Sequence, residues 1–140
     1  MDVTAEKFAI QELAYLYAYY CDRFDADNWV DCFTEDAVFD ESEKGLGRHV
    51  GHDAIRKTAD SRVERVEQMI HMVTNHLIFD LTPTNARGHI FAINEVIYKT
   101  GERFRINTIY EDEYRKIDGR WKFSSRTARN SLPKIRVMPD

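Results

Sequence analysis

The sequence of 140 residues contains only two cysteines and three prolines. Cys21 and Cys32 are eleven positions apart, without the CxxC spacing of a redox or zinc site. Neither has the sequence context of an activated nucleophile, and no GxSxG motif occurs. The two cysteines therefore predict reduced, buried thiols, as expected of a cytoplasmic protein.

Positive charge is not concentrated in any stretch of the chain. The 20 lysines and arginines are dispersed and are outnumbered by 24 acidic residues, which gives a net charge of −4. A nucleic-acid partner is therefore not expected. The sequence also lacks a long apolar run and a basic, apolar N-terminus, so neither a membrane span nor a signal peptide is predicted.

An uncharged stretch, residues 13–21, lies in the middle of a predicted first helix that runs from Glu6 to Phe24 with Thr4 as its cap. A helix that is apolar on all sides is normally enclosed by its own protein. Asp22 follows this stretch directly. Its carboxylate is expected either to cap local backbone or to act inside a pocket.

The remaining pattern predicts helices first and a long sheet afterwards. A second helix is expected over residues 28–33, a brief strand over 37–40, an exposed polar loop over 41–49, and a third helix from His52 capped by Asp53. Four extended segments follow at 71–81, 86–99, 102–117 and 120–131, with a tight hairpin at Asp118-Gly119. This order predicts one α+β domain over residues 1–140, in which N-terminal helices close one face of a curved, cone-shaped antiparallel sheet.

Period-two alternation predicts which strand residues point into the cone. The predicted inward residues are His71, Val73, Asn75, Leu77, Phe79, Phe104, Ile106, Thr108, Tyr110, Trp121, Phe123, Ser125, Thr127 and Arg129. Mostly apolar with a few polar members, this set is typical of a pocket for a small hydrophobic molecule. An inward arginine such as Arg129 needs an anionic or carbonyl partner, and a slip of one residue would put Arg126 in its place.

Asp22 and His71 are the principal candidate pair for chemistry. A carboxylate that accepts a hydrogen bond from an imidazole makes a general-base dyad. The alternatives are a helix-end carboxylate paired locally and a hydrogen-bonded core histidine. Tyr17, five residues before Asp22, is expected either to hydrogen-bond a substrate oxygen or to be a core aromatic residue, and Tyr110 has the same two interpretations.

Neither a metal nor a cofactor is expected. His71 and His76 are predicted on opposite faces of one strand, so they are not expected to share an ion. His49 and His52 lack neighbouring carboxylate or thiolate ligands at standard spacing. No phosphate-binding glycine loop is present either, because Gly45-Leu46-Gly47 lacks the GK[ST] ending.

Several motifs together resemble the SnoaL-like family of the nuclear-transport-factor-2-like superfamily. They are Asp22-Arg23-Phe24-Asp25, residues 33–39, His71-Met72-Val73-Thr74-Asn75-His76, Tyr114, and residues 118–123. The resemblance covers nearly the whole chain and implies a cone-shaped α+β barrel that forms a homodimer or homotrimer. Within that group the pattern is similar to the scytalone dehydratases, hexachlorocyclohexane dehydrochlorinases and bile-acid 7α-dehydratases.

The resemblance implies catalytic roles for Asp22 and His71 as the dyad and for Tyr17 beside it. Substrate binding is expected from Phe33, Asn75, Asn94, Tyr110 and Arg129. The implied activity is a cofactor-independent lyase that removes water, halide or a one-carbon fragment from a small hydrophobic cyclic or aromatic hydroxylated compound. A proton-shuttling isomerase of the same fold and a non-catalytic ligand-binding or assembly module are the alternatives.

Overall fold

The computed structural model describes residues 1–138. Its elements in chain order are α1 (Val3–Asp22), α2 (Ala26–Asp31), β1 (Phe33–Glu41), a 3₁₀ turn (Ser42–Lys44), β2 (Gly47–Val50), α3 (His52–Arg65), β3 (Val66–Phe79), β4 (Asn85–Tyr98), β5 (Arg103–Ile117), β6 (Arg120–Asn130) and β7 (Ile135–Arg136). The predicted helices and long strands are all present, and the short strands β2 and β7 are additional.

The strands form one curved, unclosed sheet in the order β2-β1-β6-β5-β4-β3, with β7 paired to β5. The predicted antiparallel meander from β3 to β6 is confirmed. The sheet as a whole is mixed, because β1 runs parallel to β6. Helix α1 packs against β3 and β6, so the α+β prediction with helices over one face of the sheet is confirmed.

Helix α1 begins earlier than predicted because Asp2, not Thr4, caps it. The Asp2 Oδ1 atom accepts the backbone N–H groups of Thr4 at 3.0 Å and Ala5 at 3.2 Å. In the first turn the Glu6 carboxylate accepts hydrogen bonds from Lys116 Nζ at 2.8 Å and Trp121 Nε1 at 2.6 Å. These contacts attach the start of the helix to β5 and β6.

The prediction that α1 is enclosed on all sides is wrong. Its buried face consists of Ile10, Leu13, Ala14, Tyr17, Ala18 and Cys21, which follow helical spacing. On the opposite face Tyr15 and Tyr19 are 51% and 54% exposed. Tyrosine tolerates water at its hydroxyl end, so an uncharged stretch rich in tyrosine need not be buried all round.

The polar segment 41–49 is mostly exposed, as predicted, but its ends belong to strands β1 and β2 rather than to a loop. Strand β1 extends to Glu41, and β2 pairs with it antiparallel, with Phe39 opposite His49. An edge strand whose side chains face solvent does not require alternating apolar residues, so its composition gives little signal. The start of α3 also differs, because Gly51 rather than Asp53 is at the cap position.

Two β-bulges reverse the predicted alternation in the sheet. In β3 the pairing with β4 shifts between Thr74 and Leu77, and Asn75 has a positive φ of 52°. In β6 the pairing with β5 shifts by one residue at Ser124. Each bulge adds one residue to its strand, so every side chain beyond it points to the other face.

Beyond the β3 bulge, His76 points inward and begins a buried polar network. Its Nε2 atom lies 2.8 Å from the Tyr114 hydroxyl, which donates to Asp112 Oδ2 at 2.8 Å. Because the Tyr114 proton goes to Asp112, the Nε2–H of His76 donates to Tyr114. The Nδ1 atom of His76 is buried without a hydrogen-bond partner in the described residues.

The network makes the fold sensitive to acid, because burial lowers the pKa of His76 from 6.5 to about 4. The unfolded chain therefore takes up a proton at this position at higher pH than the folded protein. We expect the free energy of unfolding to fall as pH drops from 6.5 to about 4, by about 2 kcal/mol after allowing for partial exposure of the side chain.

Urea denaturation of wild type and H76Q across this pH range measures the effect. H76Q is expected to lose part of the pH dependence, whereas H89Q, which alters an exposed histidine of β4, is expected to retain it. An H76Q profile parallel to that of wild type would contradict the assignment.

Candidate active site

The end of α1 and the middle of β3 meet through one carboxylate. Asp22 Oδ1 lies 2.5 Å from His71 Nδ1, and Asp22 Oδ2 accepts the His71 backbone N–H at 2.8 Å. The two side chains are largely buried, with exposed fractions of 20% and 9%. The predicted contact between Asp22 and His71 is therefore present.

This geometry determines the tautomer of a neutral His71. A carboxylate only accepts, so Nδ1 must be the protonated nitrogen, and the lone pair lies on Nε2. Within residues 1–138 no hydrogen bond engages Nε2. The arrangement therefore presents an unprotonated imidazole nitrogen held in a fixed orientation.

Tyr17 lies beside this pair in an aromatic cluster and is only 2% exposed. Its ring centroid is 6.4 Å from that of His71 and 6.1 Å from that of Tyr110. Burial raises the pKa of Tyr17 well above its ordinary value and that of Tyr110 to about 12. Both phenols are therefore protonated near neutral pH and able to donate hydrogen bonds.

A cavity of about 610 Å³, here called the mouth cavity, is lined by residues of β4, β5 and β6 and of the segments 41–46 and 131–134. Its wall includes Asn94, Tyr98, Ile106, Thr108, Tyr110 and Ala128. Asp22 and His71 are not in its lining as the structure describes it. Asn94, which lines the cavity, is the register partner of His71 across β3 and β4.

Of the predicted substrate-binding residues, Asn94 and Tyr110 line the mouth cavity. The Asn94 Oδ1 atom is buried and has no hydrogen-bond partner within residues 1–138. Because an unpaired buried carbonyl oxygen is costly, this atom is suited to accept a hydrogen bond from a bound hydroxyl group.

The inward placement predicted for Arg129 is wrong. The β6 bulge turns Arg129 outward, where it is about half exposed and pairs with Glu111. Arg126 takes the inward position, 1% exposed, and makes two hydrogen bonds to Asp112 at 2.8 and 2.9 Å. Its guanidinium stacks 4.3 Å from the Tyr17 ring and 4.0 Å from the Tyr110 ring.

Two further placements differ from the sequence analysis. Asn75 occupies the β3 bulge and is exposed, so it does not share the inward face of His71. Phe33 is fully buried between Tyr17, Trp29 and Phe123 and does not line the mouth cavity. The bulge explains the first difference, and close aromatic packing explains the second.

The two inward histidines have different hydrogen-bond partners. His71 and His76 both face inward, contrary to prediction, but the first binds Asp22 and the second binds Tyr114. No group of three or more His, Cys, Asp or Glu side chains forms a possible metal site in the part of the chain described. Cys21 and Cys32 are free and buried, as predicted, and burial raises their pKa values to about 11 and 12.

Glu41 is a cavity residue that the sequence analysis missed. It ends β1, and its carboxylate lies in the wall of the mouth cavity, 3.9 Å from His49. Burial raises its pKa above the ordinary value of 4.5, although Arg62 and His49 act in the opposite direction. The inward alternation of Ala37, Phe39 and Glu41 was the available signal.

No helix in residues 1–138 is long and apolar enough to cross a membrane. No protein of curated function matches the sequence.

Similar solved structures cover nearly the whole chain. One, a Novosphingobium aromaticivorans protein to which aromatic ring hydroxylation has been ascribed, is 30% identical over 98% of this chain and 96% of its own, with a TM-score of 0.92. A proposed scytalone dehydratase from the same organism is 22% identical over 98% and 91%, with a TM-score of 0.88. A hexachlorocyclohexane dehydrochlorinase from Novosphingobium barchaimii is 21% identical over 96% and 91%, with a TM-score of 0.84.

The last two structures, at these identities, show likeness of fold. The model of the SnoaL-like domain matches residues 2–127, which is most of the chain. Together with the cone-shaped sheet and the relative of 30% identity, this match shows that the chain belongs to the SnoaL-like family.

Proposed function

We propose that this protein is a cofactor-independent lyase acting on a small hydrophobic cyclic or aromatic hydroxylated compound. The main support is the double contact of Asp22 with His71, which leaves Nε2 free as a base. Asp22 positions the imidazole and stabilises the imidazolium that forms when Nε2 takes up a proton.

In the proposed step, Nε2 of His71 removes a proton from a substrate carbon. The electron pair of that C–H bond forms a new C=C bond, and the bond to the leaving group on the adjacent carbon breaks. A halide departs with its electron pair, whereas a hydroxyl group departs as water after receiving a proton. Tyr17 and Tyr110, protonated near neutral pH, are the donors proposed for that proton.

Arg126 is proposed to stabilise negative charge that develops during this step. Its guanidinium lies against the rings of both tyrosines and is held by Asp112. A fixed cation in a site shielded from water stabilises developing charge more strongly than it would in solution. This residue occupies the inward position that the sequence analysis gave to Arg129.

The mouth cavity supports a small, mainly apolar substrate with a polar substituent. Ile106 and Ala128 supply apolar wall, and the Asn94 carbonyl oxygen supplies an acceptor for a hydroxyl group. Relatives described as a ring hydroxylase, a dehydratase and a dehydrochlorinase are consistent with such a compound. Elimination of water, of halide and of a one-carbon fragment all use the same base.

Two alternative functions would use the same residues. An isomerase would return the abstracted proton to another carbon, and would release no fragment. A non-catalytic binding module is favoured by one observation, the absence of His71 from the lining of the mouth cavity as described. Release of water, halide or a carbon fragment distinguishes the lyase from both.

We further propose that the protein acts in the cytoplasm as a homodimer or homotrimer. On the outer sheet surface Ile70, Met72, Phe91 and Ile93 are between 37% and 50% exposed, which supports self-association through that face.

Replacing His71 tests the lyase proposal. H71Q is expected to lower turnover by about 10²-fold to 10⁴-fold because the base is lost, while the fold persists. Wild type, H71Q and H89Q are compared on a panel of hydroxylated and halogenated cyclic compounds, and mass spectrometry measures the products that have lost water, halide or a carbon fragment. H89Q alters an exposed histidine and should match wild type. Equal turnover by folded H71Q would contradict the proposal.

Replacing Asp22 tests whether its carboxylate positions His71 for catalysis. D22N keeps the size of the side chain but removes the charge that stabilises the imidazolium, so turnover should fall by about 10²-fold to 10⁴-fold. D60N, which changes an exposed carboxylate on α3, is the matched control. The split between kcat and KM is the second readout: D22N should lower kcat with little change in KM, because the base is affected and the cavity is not. A D22N kcat equal to that of D60N would refute the positioning role.

A further inference from the structure

A second cavity, of about 340 Å³, adjoins the mouth cavity and is here called the α3 cavity. It lies between α3 and the β1–β2 hairpin and is lined by Glu41, Leu46, His49, Ala54, Lys57, Thr58, Ser61, Arg62 and Arg65. Glu41, Leu46 and Arg65 also line the mouth cavity, so the two spaces are neighbours. None of the steps described above uses the α3 cavity.

Arg62 is the most unusual side chain of the α3 cavity. Its guanidinium stacks 4.6 Å from the Trp29 ring centroid and is partly buried. Within residues 1–138 it takes part in no ion pair and donates no side-chain hydrogen bond. A guanidinium has five N–H donors, and no nitrogen of Arg62 is fully buried without a partner in the described residues, so these donors are accessible to a ligand in the cavity.

The surrounding charges favour an anion. Lys57 and Arg65 add two cationic groups to the cavity wall, and the Nε atom of Arg65 is held by Ser61 Oγ at 3.2 Å. Glu41 is the opposing carboxylate, and His49 lies 3.9 Å from it. With three cations and one carboxylate, the cavity has an excess of positive charge.

We propose that the α3 cavity binds the carboxylate of a cyclic or aromatic acid through the guanidinium of Arg62, with the ring of that acid in the mouth cavity. A planar guanidinium matches a carboxylate with two parallel hydrogen bonds, while Trp29 holds the guanidinium plane. A monoanion suits the site better than a phosphate, because Glu41 would repel a second negative charge.

This inference rests on the proposed function only in treating the bound acid as a substrate. Binding itself requires no turnover, and it is measured in H71Q protein. Loss of activity therefore does not affect the outcome, and failure of binding does not affect the test of the base.

The experiment compares benzoate, benzamide and phenyl phosphate as probes, titrated into H71Q protein and followed by NMR chemical shifts. Benzoate is expected to bind at least about tenfold more tightly than benzamide, because only the acid offers a charged acceptor pair. Adding R62Q is expected to remove this preference. R56Q on the same helix, where Arg56 pairs with Asp27 outside the cavity, is the matched control and should retain it.

R62K provides a variant that keeps the aliphatic stem and the charge, in case R62Q does not fold. It should retain part of the preference for benzoate, because an ammonium group lacks the planar fork. Equal affinity for benzoate and benzamide, no binding of either, or a preference unchanged in R62Q and R62K would overturn the proposal. Tighter binding of phenyl phosphate than benzoate would overturn the assignment to carboxylates.

Discussion

The contact between Asp22 and His71 is the interaction on which the rest of the site depends. One carboxylate oxygen holds the imidazole Nδ1, and the other holds the backbone N–H of the same residue. The end of α1 is thereby attached to the middle of β3. Because the carboxylate orients backbone and side chain together, the direction of Nε2 follows from the packing of the helix on the sheet.

A second buried pair, the ion pair of Asp112 with Arg126, places charged groups in the interior of the fold. Asp112 and Arg126 are almost fully buried, and the carboxylate also accepts from Tyr114. Removing one partner of such a pair typically costs about 3–5 kcal/mol, because a charge is left unpaired in the interior. The arginine can therefore stay under Tyr17 and Tyr110, where hydrophobic residues would otherwise be expected. The guanidinium is thereby held against Tyr17, whose ring lies beside that of His71.

Sequence reasoning predicted the elements well and the inward faces only in part. Asp22 and His71 were paired mainly through the resemblance to the SnoaL-like family, and the predicted inward face of His71 holds because it precedes the bulge of its strand. Sequence alone could not determine which face of the sheet the residues beyond each bulge occupy. One inserted residue reverses the alternation of the strand, and no sequence pattern identifies the position of the bulge. The residues affected are Asn75, His76, Arg126 and Arg129. Glu41 was missed for another reason: the edge strand beside it is exposed and polar, so its segment resembled a loop.

The most direct test of the account is the protonation state of the two ring nitrogens of His71, measured by long-range ¹H–¹⁵N correlation NMR at mildly alkaline pH. For the neutral ring we predict the proton on Nδ1 and the lone pair on Nε2, and loss of this preference in D22N. A proton on Nε2 in the wild-type protein, or a D22N spectrum with the same tautomer, would contradict it.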